Sequence, residues 1–581
     1  MTERAYFDVS SSLTGRRWIG PGVEQDRHAE TIAQATELPL QLCQVLARLK
    51  VDPPDVAHYL APSLRDTMPN PMSLRDMGKA ADRLATAVKK KNRVAVFADY
   101  DVDGAASGAL IINWFRHFGL TVTGYVPDRI DEGYGPNGPA ISALSEDHDL
   151  IICVDCGTLS HDALSSSNSD VIVLDHHLGA ETLPNVTAVV NPNRQDEDGA
   201  LAHLCAAGVV FLTLVAANAT LRETGIDGPN LLETLDLVAL ATVADVAPLV
   251  GVNRTFVRQG LKVMAGRTRV GLRALSDVAK IDKAPTPYHL GFLLGPRINA
   301  GGRVGAADLG LRLLSTQSED EADALAERLN TLNDERRAIE AEVLAAATSH
   351  AGTRPMDGPL VWAADTGWHP GVVGIVASRL KEATNRPSVV IGFDGEDGKG
   401  SGRSVSGIDL GSAVATLARE GLIEKGGGHK MAAGLSLTRD QLPGAISRLS
   451  TLLDRQGAAA LGQADLILDG ALSPRAASIE LLEQIETAGP YGVGAPAPRF
   501  VVPFARITYS RPVGQSHLQF TLRDDNGSTL DAIAFKAFDG ELGSALHDHK
   551  GAVFHLAGRI EVDEWQGRRR PKLRLEDAAL V

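Results

Sequence analysis

The sequence predicts an α/β chain: two α/β domains joined by a long helix, followed by a C-terminal five-stranded β-barrel of OB type. Three observations carry that reading. From Arg93 to about residue 250, apolar runs alternate with helix-like segments, as βαβ units and a parallel sheet require. Residues 318–349 form one highly charged stretch without Gly or Pro, read as a connecting helix. From about residue 499 the chain changes to five short strand-like runs separated by turns, the pattern of a small barrel.

Length and composition set the frame. A chain of 581 residues exceeds one ordinary core, so several domains are expected. Its 44% hydrophobic and 22% charged residues are ordinary for a folded soluble protein. No stretch approaches the roughly 20 apolar residues of a membrane span. The first residues, MTERAYFDVSSSLTGRRW, contain acids and no apolar core, so no secretory signal is expected. Four cysteines give no disulfide framework and fit a reducing cytoplasm. The net charge of −15 argues at first against a polyanionic partner. Carboxylates gathered around metal ions weaken that argument, because they count as negative without making the site's field so, and a local basic surface suffices to hold phosphates.

The elements follow in order. Residues 1–90 read as a Pro-punctuated helical region, expected to pack on the domain after it, and Lys89-Lys90-Lys91-Asn92-Arg93 as a solvated face. Residues 91–317 carry the strand-like runs RVAVFADYD, TVTGYVPD, DLIICVDCG, DVIVLDHH and AVVNPN. After the 318–349 helix, PLVWAAD and PSVVIGFD open a second α/β domain over 350–455. Residues 456–498 read as a helical linker, and 499–581 as the barrel. Asp525-Asn526-Gly527 signals a hairpin between the barrel's second and third strands.

The chemistry gathers in the first α/β domain. Phe97-Ala-Asp99-Tyr-Asp101-Val-Asp103-Gly104 closes an apolar strand with three alternating carboxylates, whose repulsion demands a cation or a turn. An EF-hand fails, because Leu110 stands where the loop's closing Glu belongs. Cys153 and Cys156 form a C-x-x-C across a strand end with no second pair, so Asp155 between them is the better candidate. Asp175-His176-His177 ends the next strand, and Asp245 interrupts an apolar helix before Pro248. Each taken alone has a structural reading, since an Asp at a strand end caps the next helix more often than it binds metal. In an open parallel sheet, however, all carboxyl ends face one crevice, so Asp101, Asp103, Asp155 and His176 are expected to converge. Asp and His donors without thiolate favour Mn²⁺ or Mg²⁺, and a carboxylate shared by two ions is the usual core of a two-metal hydrolytic site.

This pattern resembles the DHH phosphoesterase superfamily and, within it, the RecJ-type single-stranded-DNA exonucleases. The matching segments are ADYDVDG (98–104), VDCG (154–157), DHH (175–177), ATVADVAPL (241–249), PRINAGGR (296–303), GWHPGVVGIVASRL (367–380), SGRSVSGIDL (401–410) and GGGHKMAAGL (426–435), in family order. The resemblance implies Asp101, Asp103, Asp155, His176 and Asp245 as ligands of two divalent ions, Mn²⁺ or Mg²⁺. Asp155 would bridge them, and His177 would face the substrate phosphate. Many members carry His where Phe97 stands, and Asp99 is the candidate replacement ligand. Ala98 stands where many RecJ-like chains have Gly.

The second domain resembles the DHHA1 module. There Gly427, Gly428 and His429 allow close approach to a phosphate, and Arg403 beside Ser401 can grip one bidentately. No P-loop is present, since Lys399 precedes Gly400. Arg297, Asn299, Arg303 and His369 complete the expected substrate-binding set, and a 5′-phosphate pocket would impose 5′→3′ polarity. In the barrel, Tyr509, Phe520, Phe535 and Trp565 are candidate base platforms, and Arg568, Arg569, Arg570 and Lys572 candidate phosphate contacts. The expected activity is 5′→3′ degradation of single-stranded DNA to 5′-mononucleotides in repair and recombination. The expected partners are single-stranded-DNA-binding protein and a RecQ-type helicase, acting with a monomeric cytoplasmic enzyme. A phosphoesterase for short oligonucleotides or cyclic dinucleotides is the competing enzyme reading, disfavoured by the barrel and the chain length. A non-catalytic DNA-binding scaffold is a third, disfavoured because no main ligand position is lost.

Overall fold

The computed structural model describes residues 4–128, 132–354, 358–565 and 567–581. Two compact units emerge. One comprises Trp18–Thr331 and Ile467–Val581 with the N-terminal stretch to Thr14; the other comprises Leu332–Leu466 with Gly15–Arg17.

The first unit is built on a five-stranded parallel sheet. Its strands are β1 (Val94–Ala98), β2 (Val122–Tyr125), β3 (Leu150–Val154), β4 (Asp170–Leu174) and β5 (Ala188–Val190), in spatial order β2-β1-β3-β4-β5. β1 and β3 are buried at every position, which is why they read as unbroken apolar runs rather than alternating ones. The helix α1 (Val102–His117) leaves β1 at the sheet's carboxyl end. α2 (Ala206–Arg222) and α3 (Leu235–Ala244) pack against α1. α3 buries eight of its ten residues, Leu235–Thr242, so it is apolar around most of its circumference. Farther along lie α4 (Val270–Val278), α5 (Gly295–Val304) and the charged helix α6 (Glu319–Gly352).

The N-terminal region does not pack as the sequence suggests. Met77–Lys90 does lie on α2 and β5. The earlier helices Val23–Thr36 and Leu40–Arg48 instead share one core with the barrel, joining Ile32, Leu42 and Leu46 to Phe500, Phe520 and Leu556. Trp18 Nε1 donates to Asp577 Oδ2 at 2.8 Å within that region. Long-range packing of this kind leaves no trace in local periodicity.

Within the second unit, strands β6 (Val361–Thr366), β7 (Ser388–Asp394), β8 (Asp397–Arg403), β9 (Lys425–His429) and β10 (Ala432–Thr438) form a sheet in the order β9-β10-β8-β7-β6. Only β6 and β7 run parallel. Helix α7 (Pro370–Thr384) packs on β7 and β8.

The barrel strands are β11 (Phe500–Val513), β12 (His517–Arg523), β13 (Thr529–Ala534), β14 (Val553–Trp565) and β15 (Arg568–Leu580). They pair in the order β11-β12-β13-β15-β14, and β14 closes back on β11. Closure removes the exposed strand edges. The second-to-third-strand hairpin turns at Gly527, with φ of 83°. The stretch expected to be a helical linker holds a helix, Ile479–Thr487, but its Gly470–Ala471 already pairs with β11.

Candidate metal centre

The carboxyl ends of β1, β3 and β4 deliver the site. Asp101 is the N-cap of α1, and its Oδ1 accepts the N–H groups of Asp103 and Gly104 at 2.8 and 3.1 Å. The cap reading and the ligand reading therefore fall on one residue, using one of its two oxygens. Gly104 does not make a turn: it lies in the first turn of α1, and a Cβ there would stand 2.3 Å from the Asp99 carbonyl oxygen. Asp103, completely buried, accepts the N–H groups of Ala206 and Ala207 at 2.6 and 2.8 Å. It thereby caps α2, whose own N-cap residue Cys205 makes no side-chain capping bond.

Around these, His176 Nε2 lies 3.2 Å from Asp155 Oδ1, 3.7 Å from Asp103 Oδ2 and 3.8 Å from Asp245 Oδ2. Potential ligand atoms of Asp99, Asp101 and Asp155 lie within 4.8 Å of one another, as do those of Asp103, His176 and Asp245, and those of Asp155, His176 and His177. Asp155 thus joins two of the three groups. It also holds a left-handed φ of 61°, an uncommon conformation for a residue with a side chain. Val246, just after Asp245, has φ of 62° and is 61% exposed; for a β-branched residue that is strain next to a candidate ligand.

The electrostatics call for a cation. Burial first, then repulsion from Asp103 and Asp101, pushes the Asp155 carboxyl well above its ordinary range. Burial, and then repulsion from Asp103 and Asp101, raises Asp245 to about 9. Asp103 is raised by burial against the opposing pull of His176. Asp155 Oδ1 is buried and accepts no hydrogen bond, although a buried carboxylate oxygen ordinarily finds a donor. Hard oxygen donors with one imidazole fit Mn²⁺ or Mg²⁺.

Asp175 does something the sequence did not reveal. It is fully buried yet held below the ordinary carboxylate range: burial opposes its charge, but His177 and Thr158 overcome that. Its Oδ2 accepts Thr158 N–H and O–H at 3.0 and 2.6 Å, and its Oδ1 accepts His176 N–H, His177 N–H and His177 Nδ1. Asn191 and Asn193, from the NPN loop after β5, donate to the carbonyls of His177 and His176. Tyr134 was also missed. Its hydroxyl donates to the Asp155 carbonyl at 3.1 Å and lies 3.1 Å from His177 Nε2. Asn at a parallel strand's end was a usable signal; the Gly133-Tyr134-Gly135 loop offered none.

The remaining expected residues divide. Asn299 Oδ1 accepts Val102 N–H at 3.0 Å, so it positions the start of α1 between Asp101 and Asp103. Arg297 donates to Asn330 Oδ1 and the Leu293 carbonyl. Arg303 lies in the last turn of α5, beside Gly302, where a Cβ would strike the Tyr100 ring. Cys153 and Cys156 are buried thiols raised by that burial, hence inert. In the second unit, Arg403 NH1 donates to Ser401 Oγ at 2.9 Å. Gly374 of α7 leaves room for both, since a Cβ there would stand 3.0 Å from Ser401 Oγ and 3.1 Å from Arg403 NH2. His369 caps α7 through Gly371 N–H at 3.0 Å. Gly427, Gly428 and His429 lie on β9, where a Cβ on Gly411 would stand 2.6 Å from the Gly428 carbonyl oxygen. In the barrel, Phe520 is core at 1% exposure, in step with buried Leu518 and Leu522 on an alternating strand. Tyr509 and Phe535 are exposed, and the Trp565 side chain lies outside the described residues. Arg569 pairs with Glu483, Arg570 with Asp531, and Lys572 with Asp563, so these cations face acids; Arg568 stands at the hairpin beside them.

Comparison with known proteins identifies the family. Family models match the DHH family N-terminal domain over residues 93–242, the DHHA1 domain over 357–455 and the RecJ OB domain over 468–577. The single-stranded-DNA-specific exonuclease RecJ of Escherichia coli is 36% identical over 562 residues, covering 93% of this chain and 96% of that protein. The chain belongs to the RecJ family. RecJ of Dickeya dadantii is 37% identical over 572 residues, covering 93% of this chain and 97% of that one. The crystal structure of Thermus thermophilus RecJ in complex with Mn²⁺ matches with a TM-score of 0.79 at 29% identity, covering 97% of this chain and 79% of that one. Its Mg²⁺ complex matches with a TM-score of 0.73 at 28% identity, covering 97% and 78%. Against this RecJ match, the barrel module begins at 468 rather than 499.

Proposed function

We propose that this chain hydrolyses single-stranded DNA from the 5′ end, releasing 5′-mononucleotides, in DNA repair and recombination. The observation that carries the reading is a chain of close donors: ligand atoms of Asp99 and Asp101 lie within 4.8 Å of one of Asp155, those of Asp103 and Asp245 within 4.8 Å of one of His176, and His176 Nε2 stands 3.2 Å from Asp155 Oδ1. Two divalent ions, Mn²⁺ or Mg²⁺, would be held by these residues with Asp155 between them; when bound, such ions lower the pKa of water and neutralise phosphoryl charge. The chain's own groups do the rest. Asp101 is fixed by helix N–H groups through Oδ1 alone and Asp103 through both oxygens, so both carboxylates are preorganised. Burial opposes a charge on His177, but its Nδ1 bond to Asp175 favours it, so the ring would face a phosphate oxygen as a donor. Arg403 with its neighbour Ser401, together with His369 and the glycines of β9, would bind the 5′ phosphate and so set polarity. The barrel would hold the strand through Phe535, which has Arg574 5.1 Å over its ring, and through Arg568. Single-stranded-DNA-binding protein and a RecQ-type helicase are the proposed partners of a monomeric cytoplasmic enzyme. Among the described residues no helix is long and apolar enough to cross a membrane.

The test is a single-stranded oligonucleotide labelled at either end, with its duplex and a dinucleotide as controls, in Mn²⁺ and in Mg²⁺. Stepwise shortening from the 5′ end, confined to the single strand and absent in Asp155→Asn, supports the reading. Cleavage of the dinucleotide alone would favour a small-substrate phosphoesterase.

A further inference from the structure

Residues 132–137, just ahead of the helix Gly138–Asp147, bring one side chain to the metal centre, that of Tyr134. Glu132 fastens the base of this stretch. Its carboxylate accepts Tyr125 O–H at 2.6 Å from the end of β2, Asn137 Nδ2 at 3.0 Å and Asp128 N–H at 2.9 Å. Asn137 is in turn the N-cap of the helix that follows. Gly133 and Gly135 hold φ of 89° and 76°, left-handed values that residues with a Cβ rarely adopt, so the chain turns on both sides of Tyr134. A Cβ on Gly135 would stand 3.8 Å from Cys156 Cβ, which places the turn against the residue after Asp155.

Tyr134 meets a backbone atom that the sheet leaves unpaired. The left-handed φ of 61° at Asp155 turns the chain at the end of β3. Asp155 N–H still donates to the Leu174 carbonyl at 3.0 Å, but no backbone N–H among the described residues meets the Asp155 carbonyl. The Tyr134 hydroxyl does, at 3.1 Å. Asp155 is 2% exposed, and a buried carbonyl ordinarily has a donor. The hydroxyl has one proton, given to that carbonyl, so it offers His177 a lone pair; His177 Nε2 lies 3.1 Å away. One O–H group thus ties Asp155 to the imidazole that Asp175 braces from its other side.

We propose that Tyr134 is a positioning residue of the metal centre. Its hydroxyl holds Asp155 in the left-handed conformation that offers one carboxylate to two metal positions, and Glu132 holds Tyr134 in place. The role rests on the two-metal reading of the site, and Tyr134 acts through Asp155 rather than on the ions.

The test is equilibrium binding of Mn²⁺ to the full chain, comparing wild type, Tyr134→Phe and Glu132→Gln. Stability in EDTA and turnover of a single strand across a Mn²⁺ series are measured beside it. Tyr134→Phe keeps the ring and deletes only the hydroxyl, while Glu132→Gln loosens the turn without touching Asp155. The expected result is Mn²⁺ binding weakened about tenfold in Tyr134→Phe, in line with other groups that orient metal ligands, and weakened less in Glu132→Gln. Turnover should fall at limiting Mn²⁺ and recover in excess, with little change in KM for the strand. Wild-type Mn²⁺ affinity in Tyr134→Phe overturns the proposal. If stability alone then falls, the bond is merely structural; if turnover falls at every Mn²⁺ level, the hydroxyl acts on the substrate instead. A wild type that binds two ions but cleaves no DNA sinks the exonuclease reading, and the binding comparison still decides the role of Tyr134. A wild type that binds no Mn²⁺ overturns both.

Discussion

His177 Nδ1 lies 2.8 Å from Asp175 Oδ1, and the same oxygen accepts the backbone N–H groups of both histidines. The Asp of the triplet is therefore the brace of the two imidazoles rather than a member of the ligand cluster. Asp175→Asn would point an amide N–H at the Thr158 donors or lose the bond to His177. Turnover should fall about 10- to 100-fold, as for other groups that orient metal ligands. Stability should drop by about 1–3 kcal/mol for buried donors left unmatched. Single-turnover cleavage and urea denaturation of the same variant check both parts; unchanged turnover would remove Asp175 from the site.

Asp155 concentrates repulsion that a proton or a metal ion relieves. Asn tolerates the left-handed conformation Asp155 adopts, so Asp155→Asn removes charge without new backbone strain. In EDTA the variant should unfold at a higher temperature than wild type, by about 1–2 kcal/mol of added stability. On addition of Mn²⁺, wild type should be stabilised and the variant scarcely changed. Thermal melts with and without metal read both effects, and a metal-free variant less stable than wild type would contradict the crowding argument.

Arg403 and Ser401 share the space that Gly374 leaves open. Arg403→Lys keeps the charge but loses the planar fork. The expected result is a KM about tenfold higher for 5′-phosphorylated strands and a weakened preference for them over 5′-hydroxyl strands, with kcat changed less. Steady-state assays on the paired substrates decide it; an intact preference would exclude Arg403 from the phosphate pocket.

Much of this was legible before the structure, for physical reasons. Strands buried on both faces, such as Val94–Ala98 and Leu150–Val154, announce themselves as apolar runs, and polar residues at their carboxyl ends must face a common crevice. Asp101, Asp103, Asp155 and His176 were expected to converge on that ground, and the structure brings their donor atoms close together; Asp245, at the end of a helix, came in as a ligand only with the resemblance. Roles set by hydrogen bonds across the fold were not: Asn299 reaches Val102, and Asp175 reaches Thr158, through partners that no local pattern names. Ile32 and Leu46 joined the barrel's core for the same reason. Phe520 was a different failure, since its alternation with Leu518 and Leu522 was visible in HLQFTLR.

A pH effect on stability should arise away from the metal centre. Arg48 Nε lies 2.8 Å from Asp469 Oδ1, both buried. Burial raises the Asp469 carboxyl to about 6, with Arg48 opposing, against about 3.9 in an unfolded chain. Between those values the folded state holds the extra proton. The group's contribution is therefore full below about pH 4 and is lost as pH rises through about 6. Asp469→Asn should flatten that part of a stability-versus-pH curve measured in urea. An unchanged slope would mean that Asp469 titrates normally.

The central claim is that Asp155 joins two metal positions. Equilibrium binding of Mn²⁺ to the full chain, counted by the paramagnetic signal of free ion, tests it most directly. The account predicts two ions per chain for wild type, with loss of at least one and weakening of any other in Asp155→Asn. Wild-type stoichiometry and affinity in that variant would contradict it.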